Sequence, residues 1–136
     1  MQGRAFLEVA REAVAGTTEA HWRTTVIHAY HALFLECRDA LIRWGVPAPP
    51  RQTAHSAVRL RFVYASDPDL KQLGDALETW CSHRNHARYD LSALPKFATD
   101  RLAQDAIAEV TAALALLDAI DANPTRRAAA IAALPP

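Results

Sequence analysis

The stretch Ser82-His83-Arg84-Asn85-His86-Ala87-Arg88-Tyr89-Asp90-Leu91 places two arginines, two histidines, a tyrosine and an aspartate at the end of a run that reads as an apolar helix. At about 100° per residue on a helix, these side chains separate into two groups. Arg84 and Arg88 lie four residues apart, in line with Leu77 and Cys81, so both guanidinium groups are expected to face the interior or an oligomer interface. A buried guanidinium without a partner is costly, and it calls for a carboxylate, a facing subunit or a bound anion. His86, Tyr89 and Asp90 form the second group on a neighbouring face. Asp90, four residues after His86, can accept a hydrogen bond from the imidazole, which is how a general base is oriented. Arginine stabilising charge on phosphorus oxygens and histidine moving the proton of an attacking hydroxyl together suit phosphodiester chemistry. The same side chains also suit an ordinary ion-pair network.

Further residues could extend such a site. Arg51, Arg59 and Arg61 could form a basic rim for RNA or a solvated helix face, and Trp22, Tyr30, Phe34, Trp44 and Trp80 could stack bases or fill a core. His28-x-x-His31 and His83-x-x-His86 each set imidazoles one turn apart, with Glu36 the acidic residue best placed to join them around a metal. Metal sites in bundles usually bring several inward carboxylates, so no metal or other cofactor is expected. No glycine-rich phosphate loop and no Ser-His-Asp or Cys-His arrangement stands out.

The elements that must hold these residues are helical. No segment alternates apolar and polar residues as a strand does, whereas several repeat at i, i+3, i+4. A first helix is predicted over about Arg4 to Ala15 and stops at Gly16. A long second one, capped by Thr17 or Thr18, carries Trp22, Val26, Ala29, Tyr30, Leu33, Cys37, Ala40, Leu41 and Trp44 to Gly45. Pro47-Ala48-Pro49-Pro50 forms a stiff loop, after which Thr53 can cap a third helix to about Tyr64. Asp67 at the N-cap with Pro68 at the first helical position starts a fourth helix, whose buried side runs from Leu70 to Cys81 and on to Arg84. Leu91 to Ala98 reads as a loop, and Thr99 caps a fifth helix to about Asp121. Asn123-Pro124-Thr125 then precedes an Ala-rich tail that is either a sixth helix or frayed. The expected architecture is all-α, an up-and-down four- to five-helix bundle over residues 1–123 with a tail at 124–136.

Composition bounds the partners. The chain has 136 residues, a single-domain length, and its 15 basic and 15 acidic residues balance, which argues against coating nucleic acid through a global field. Of the basic residues, 13 are arginine, whose forked guanidinium binds oxyanions bidentately. No stretch approaches a membrane span and the N-terminus lacks a signal-peptide core, so a cytoplasmic protein without membrane contact is expected. Cys37 and Cys81 sit in apolar helical patterns and are expected as free thiols.

Three segments, in order, resemble a known family. Ile27-His28-Ala29-Tyr30-His31-Ala32-Leu33-Phe34 is similar to the Tyr-Tyr-Ala-x-Phe-His signature on the long helix of HEPN proteins (higher eukaryote and prokaryote nucleotide-binding domains). Thr53-Ala54-His55-Ser56 resembles that family's Lys/Thr-His-Ser/Gly helix start, and Arg84-Asn85-His86-Ala87-Arg88-Tyr89-Asp90 resembles its Arg-x-x-Ala-Asp-Tyr-Asp motif. The resemblance spans about residues 20–120. It implies a four- or five-helix domain that usually dimerises and is often paired with a minimal nucleotidyltransferase or found in toxin–antitoxin, antiviral or CRISPR-linked systems. Active members are metal-independent endoribonucleases in which Arg-x4–6-His motifs from two subunits form one composite cleft.

Counting from Arg84, the positions for the family's catalytic histidine hold Tyr89, Asp90 and Leu91, and Arg88 stands where the motif has aspartate. A free tyrosine, with a pKa of about 10, is a poor base near neutrality. His86 is the available substitute, although it lies roughly 200° from Arg84 on an ideal helix. The expected catalytic set is thus Arg84, His86, Tyr89 and Asp90, with Asn85, Arg88, His83 and Arg59 contacting RNA. The expected function is an RNA-directed toxin or defence component, either a ribonuclease or a degenerate relative that binds RNA or nucleotide. The alternative is a non-catalytic module that docks a nucleotidyltransferase or another effector. A homodimer through the second and fourth helices is expected, because their apolar stripes look too wide for one bundle and two inward arginines need partners.

Overall fold

The computed structural model describes residues 1–136, and its regular structure is entirely helical: α1 (Ala5–Val14), α2 (Glu19–Arg43), α3 (Ala54–Val63), α4 (Pro68–Tyr89), α5 (Arg101–Ala122) and α6 (Pro124–Ala132). Single 3-10 turns occupy Arg51–Thr53 and Pro95–Phe97. The all-α bundle expected from the periodicity is what forms.

The spine is α2, which packs against α1, α3, α4 and α5. Val26, Ala29, Leu33, Cys37 and Ala40 along it are completely buried, and the small alanines allow its neighbours to approach from more than one side. The Thr18 hydroxyl accepts from the His21 N–H at its start, and Gly45 ends it with φ +91°, a conformation that suits glycine. For α4 the predicted start is realised: the Asp67 carboxylate accepts from the N–H groups of Asp69 and Leu70, with Pro68 next in the chain. Thr53, expected to cap α3, does not; its hydroxyl turns back toward the Pro50 carbonyl. The fifth helix begins at Arg101, whose N–H is accepted by Thr99.

The tail is a docked sixth helix. Asn123 accepts from the Arg126 N–H and so caps α6, and Arg126 then forks onto Asp67 and Asp69 at the start of α4. The Ser66 N–H donates to the Ala133 carbonyl, closing the same junction.

Two features set the positions of the chemically capable residues. Gly74 of α4 lies against α3 so closely that a Cβ there would stand 2.6 Å from the Val63 nitrogen; this contact brings the helix carrying His55 against the helix carrying Arg84. Arg23 of α2, with only 6% of its surface exposed, donates to the carbonyls of His86, Ala87, Asp90 and Ser92. It thereby satisfies the free carbonyls at the C-terminal end of α4 and fixes the turn that follows. The Arg23 guanidinium also lies 4.4 Å from the centre of the Phe97 ring.

The stripe-width argument for a dimer does not hold. The α2 stripe is covered within one chain by α1, α3, α4 and α5, and Leu70, Leu73, Leu77 and Trp80 of α4 are buried as well. The exposed large apolar residues, among them Val9, Ile42, Leu60 and Ile131, are spread over different helices.

Candidate functional site

The sequence grouping of Arg84 with His86, Tyr89 and Asp90 is not what the structure assembles. Arg84 is half-buried and turns toward α2 and α3, where its guanidinium lies 5.5 Å from the centre of the Tyr30 ring. It donates to the side-chain oxygen of Asn85 at 2.8 Å. His86 turns to the other side of α4 and accepts from the Lys96 ammonium, which also reaches His83 at 3.2 Å. Asp90 does not orient His86; its carboxylate accepts from the N–H and hydroxyl of Ser92, closing the turn after the helix. Tyr89 is 71% exposed and stands beside Arg88, which is itself exposed rather than inward. The reason is geometric: two residues on a helix turn the side chain by about 200°, which separates His86 from Arg84, and Ser92 occupies the Asp90 carboxylate.

Arg84 instead lies near enough to His31 of α2 and His55 of α3 for its charge to act on both rings, with Tyr30 adjacent to both it and His55. Nδ1 of His55, in the first turn of α3, lies 2.7 Å from the Tyr30 hydroxyl. The His55 ring stacks on Phe34 with centroids 4.1 Å apart. His28 and His31, one turn apart on α2, pack against Phe6, whose ring stacks with His28 and meets His31 edge-on. Nδ1 of His28 is buried without a hydrogen-bond partner. Sequence reading gave His31 and His55 no catalytic role. The signal that could have lifted them was their place in two of the three resembling segments, on the faces that α2 and α3 turn toward one another.

The electrostatics of this cluster are uniform. His55 sits below the ordinary histidine value of 6.5, first through burial and then through the nearby Arg84 charge. His31 is lowered by burial, then by His28, Arg84, Arg38 and Arg88, and His28 by burial and then Arg88. All three are therefore neutral near pH 7, when each ring can accept a proton. Burial chiefly pushes the Tyr30 hydroxyl far above its usual value, so it remains a proton donor or a hydrogen-bond anchor for His55. Neither Arg84 nor Arg88 forms an ion pair with a carboxylate. Arg59 reaches Glu78 only at 3.9 Å.

Glu36, the carboxylate considered for a metal site with these histidines, is engaged elsewhere. It accepts from the Arg4 backbone N–H and from its guanidinium, both at 2.9 Å, tying the N-terminus to α2. Cys37 is fully buried, which pushes its thiol far above the ordinary value; Cys81 is half-buried, and both are free. Tyr30, Phe34, Trp44 and Trp80 are core residues, while the Trp22 indole N–H donates to the Gly16 carbonyl.

A cleft between α2, the proline loop and the start of α3 adjoins the cluster. It encloses about 360 Å³ and is lined by His31, Phe34, Arg38, Arg51 and His55, among others. Such a setting can hold an anion by guanidinium contacts and offer neutral imidazoles to a hydroxyl proton. No protein-family model matches the chain, and comparison with curated proteins and with solved structures returns no match.

Proposed function

We propose that the protein acts on RNA in the manner its HEPN resemblance implies: it binds single-stranded RNA at the cleft between α2, the proline loop and α3, next to Arg84 of α4, and cleaves it without a metal, as a toxin or defence component. The observation that carries this reading is the half-buried Arg84, free of any carboxylate partner, joined through the Tyr30 ring to the neutral imidazole of His55. In the reaction the RNA 2′-oxygen forms a bond to phosphorus and the bond to the 5′-oxygen breaks. An imidazole takes the 2′-hydroxyl proton, and the departing 5′-oxygen gains a proton from water. Arg84 neutralises the charge that builds on the non-bridging oxygens. The catalytic imidazole is thus His55, with His31 as its neighbour, in place of His86.

The test is incubation of the purified protein with single-stranded RNA in excess chelator. Fragments ending in 2′,3′-cyclic phosphate and 5′-hydroxyl are expected, together with toxicity on expression. Absence of both RNA binding and cleavage would remove the reading.

A second reading, docking of a protein partner such as a nucleotidyltransferase, is favoured by one observation: Tyr89 and Leu91, 71% and 81% exposed, form an aromatic and aliphatic tip at the end of α4. Co-purification that depends on Tyr89 and Leu91 would identify it.

A further inference from the structure

Beyond the Arg84 cluster, the cleft continues along α2 into a second, more apolar pocket. This pocket of about 240 Å³ lies between the loop Val46–Pro50, the α2 residues Leu41 and Ile42, and Ala57 and Val58 of α3. The two cavities share Arg38, Ile42, Ala48 and Pro49, so they form one trough. From His31 to Ile42 along α2 the trough runs roughly 16 Å at the helical rise.

Its chemistry changes along its length. The His31–His55 end offers polar rings, whereas the far end is walled by proline rings and aliphatic side chains. Pro47, Pro49 and Pro50 fix the backbone of that wall, so the pocket is formed before any ligand arrives. Cations stand along the rim: Arg51 at the near end, Arg38 in the middle and Arg61 at the far end. Arg38 pairs with Asp39, while Arg51 and Arg61 have no carboxylate partner. An apolar slot with unneutralised guanidinium groups beside it matches a base attached to a phosphodiester, since guanidinium groups hold the backbone charge and apolar walls take the base face out of water.

We propose that the pocket walled by Pro47–Pro50, Ile42 and Ala57 is a nucleobase subsite, seating a base of the strand whose phosphate lies at Arg84 and His55. The proposal rests on the RNA-directed reading above and adds where a base is held. Burying one base face against the proline and aliphatic walls contributes about tenfold in affinity, and the slot has few polar groups with which to distinguish one base from another. Base-tolerant binding follows.

The test uses an RNA trinucleotide carrying 2-aminopurine and the same trinucleotide made abasic at one position, with binding to the intact protein followed by fluorescence and calorimetry. With a non-cleavable 2′-methoxy backbone, the wild type should bind the strand with all its bases about tenfold more tightly than one of the abasic versions. Ala57→Phe extends a half-buried side chain into the open slot and should bring the two strands to equal affinity; Ala48→Trp fills the slot from its exposed loop wall and should do the same if the α3 variant folds poorly. Wild-type-like preference for the strand with all its bases in both folded variants would overturn the subsite while leaving the Arg84 site standing. Loss of RNA binding in Arg84→Ala, with the subsite variants unaffected, would have the same meaning. Failure of the wild type to bind either strand would overturn both readings. If the slot instead seats a second copy of the chain, the filled variants would change the mass in light scattering and leave RNA binding intact, which also overturns the proposal.

Discussion

A histidine serves as a base near neutrality only while its ring is uncharged, and the cluster on α2 and α3 secures this by partial burial next to guanidinium groups. The same depression has a stability consequence. His28, His31 and His55 bind protons less readily folded than unfolded, so as pH falls below about 6.5 the unfolded chain gains protons first and the folded state loses stability. Thermal melting should therefore show a lower midpoint at pH 5.5 than at pH 7.5, well above the range where the paired carboxylates of Asp67, Asp118 and Asp121 are neutralised. Replacing all three histidines by glutamine should flatten that decline; an equally steep decline in the triple variant would show that other groups cause it. At this scale the sequence exposed Arg84 and left its partner hidden. Helical spacing places residues on the face of one helix, but the meeting of His55 with Tyr30 depends on which face of α3 reaches α2, a tertiary fact.

Helix ends and close approaches are what hold the cluster together. The Asp67-Pro68 start of α4 and the end of α2 at Gly45 were legible because capping chemistry is local. The role of Gly74 was not, since its meaning lies in the Val63 backbone across the gap. Gly74→Ala should improve local helix propensity and yet lower stability, because α3 must move away; it should also weaken the fluorescence response to RNA by displacing His55. Unchanged melting and RNA response in this variant would show that the contact gives way at no cost. Arg23, a charged residue on the buried face of α2, was likewise unread. Truncating it leaves several carbonyls at the end of α4 short of a donor, at about 1–3 kcal/mol for a group that water does not reach. Arg23→Met should thus lower the denaturation midpoint and speed hydrogen exchange over residues 86–92, whereas wild-type exchange there would contradict its role in fixing that turn.

For the whole molecule, the all-α class was legible from periodicity and the balanced charge from composition, but the distribution of that charge was not. The zero net charge conceals a cleft lined by Arg38 and Arg51 and by no carboxylate. The expected width of exposed apolar surface was overestimated for a related reason: α1 and α5 cover flanks of α2 that a linear pattern cannot assign. The motive left for dimerisation is the half-buried Arg84 without a carboxylate partner, and light scattering at tens of micromolar, with and without RNA, should give a dimer mass; a monomer under both conditions would leave a single-chain site. The most direct test of the central claim is cleavage of single-stranded RNA in chelator by the wild type, Arg84→Ala, His55→Ala and His86→Ala, with melting curves on the same samples. The account predicts losses on the order of 10²–10³ in folded Arg84→Ala, a comparable loss in His55→Ala, and activity near wild type in His86→Ala. Intact cleavage by folded Arg84→Ala, or a loss confined to His86→Ala, would contradict it.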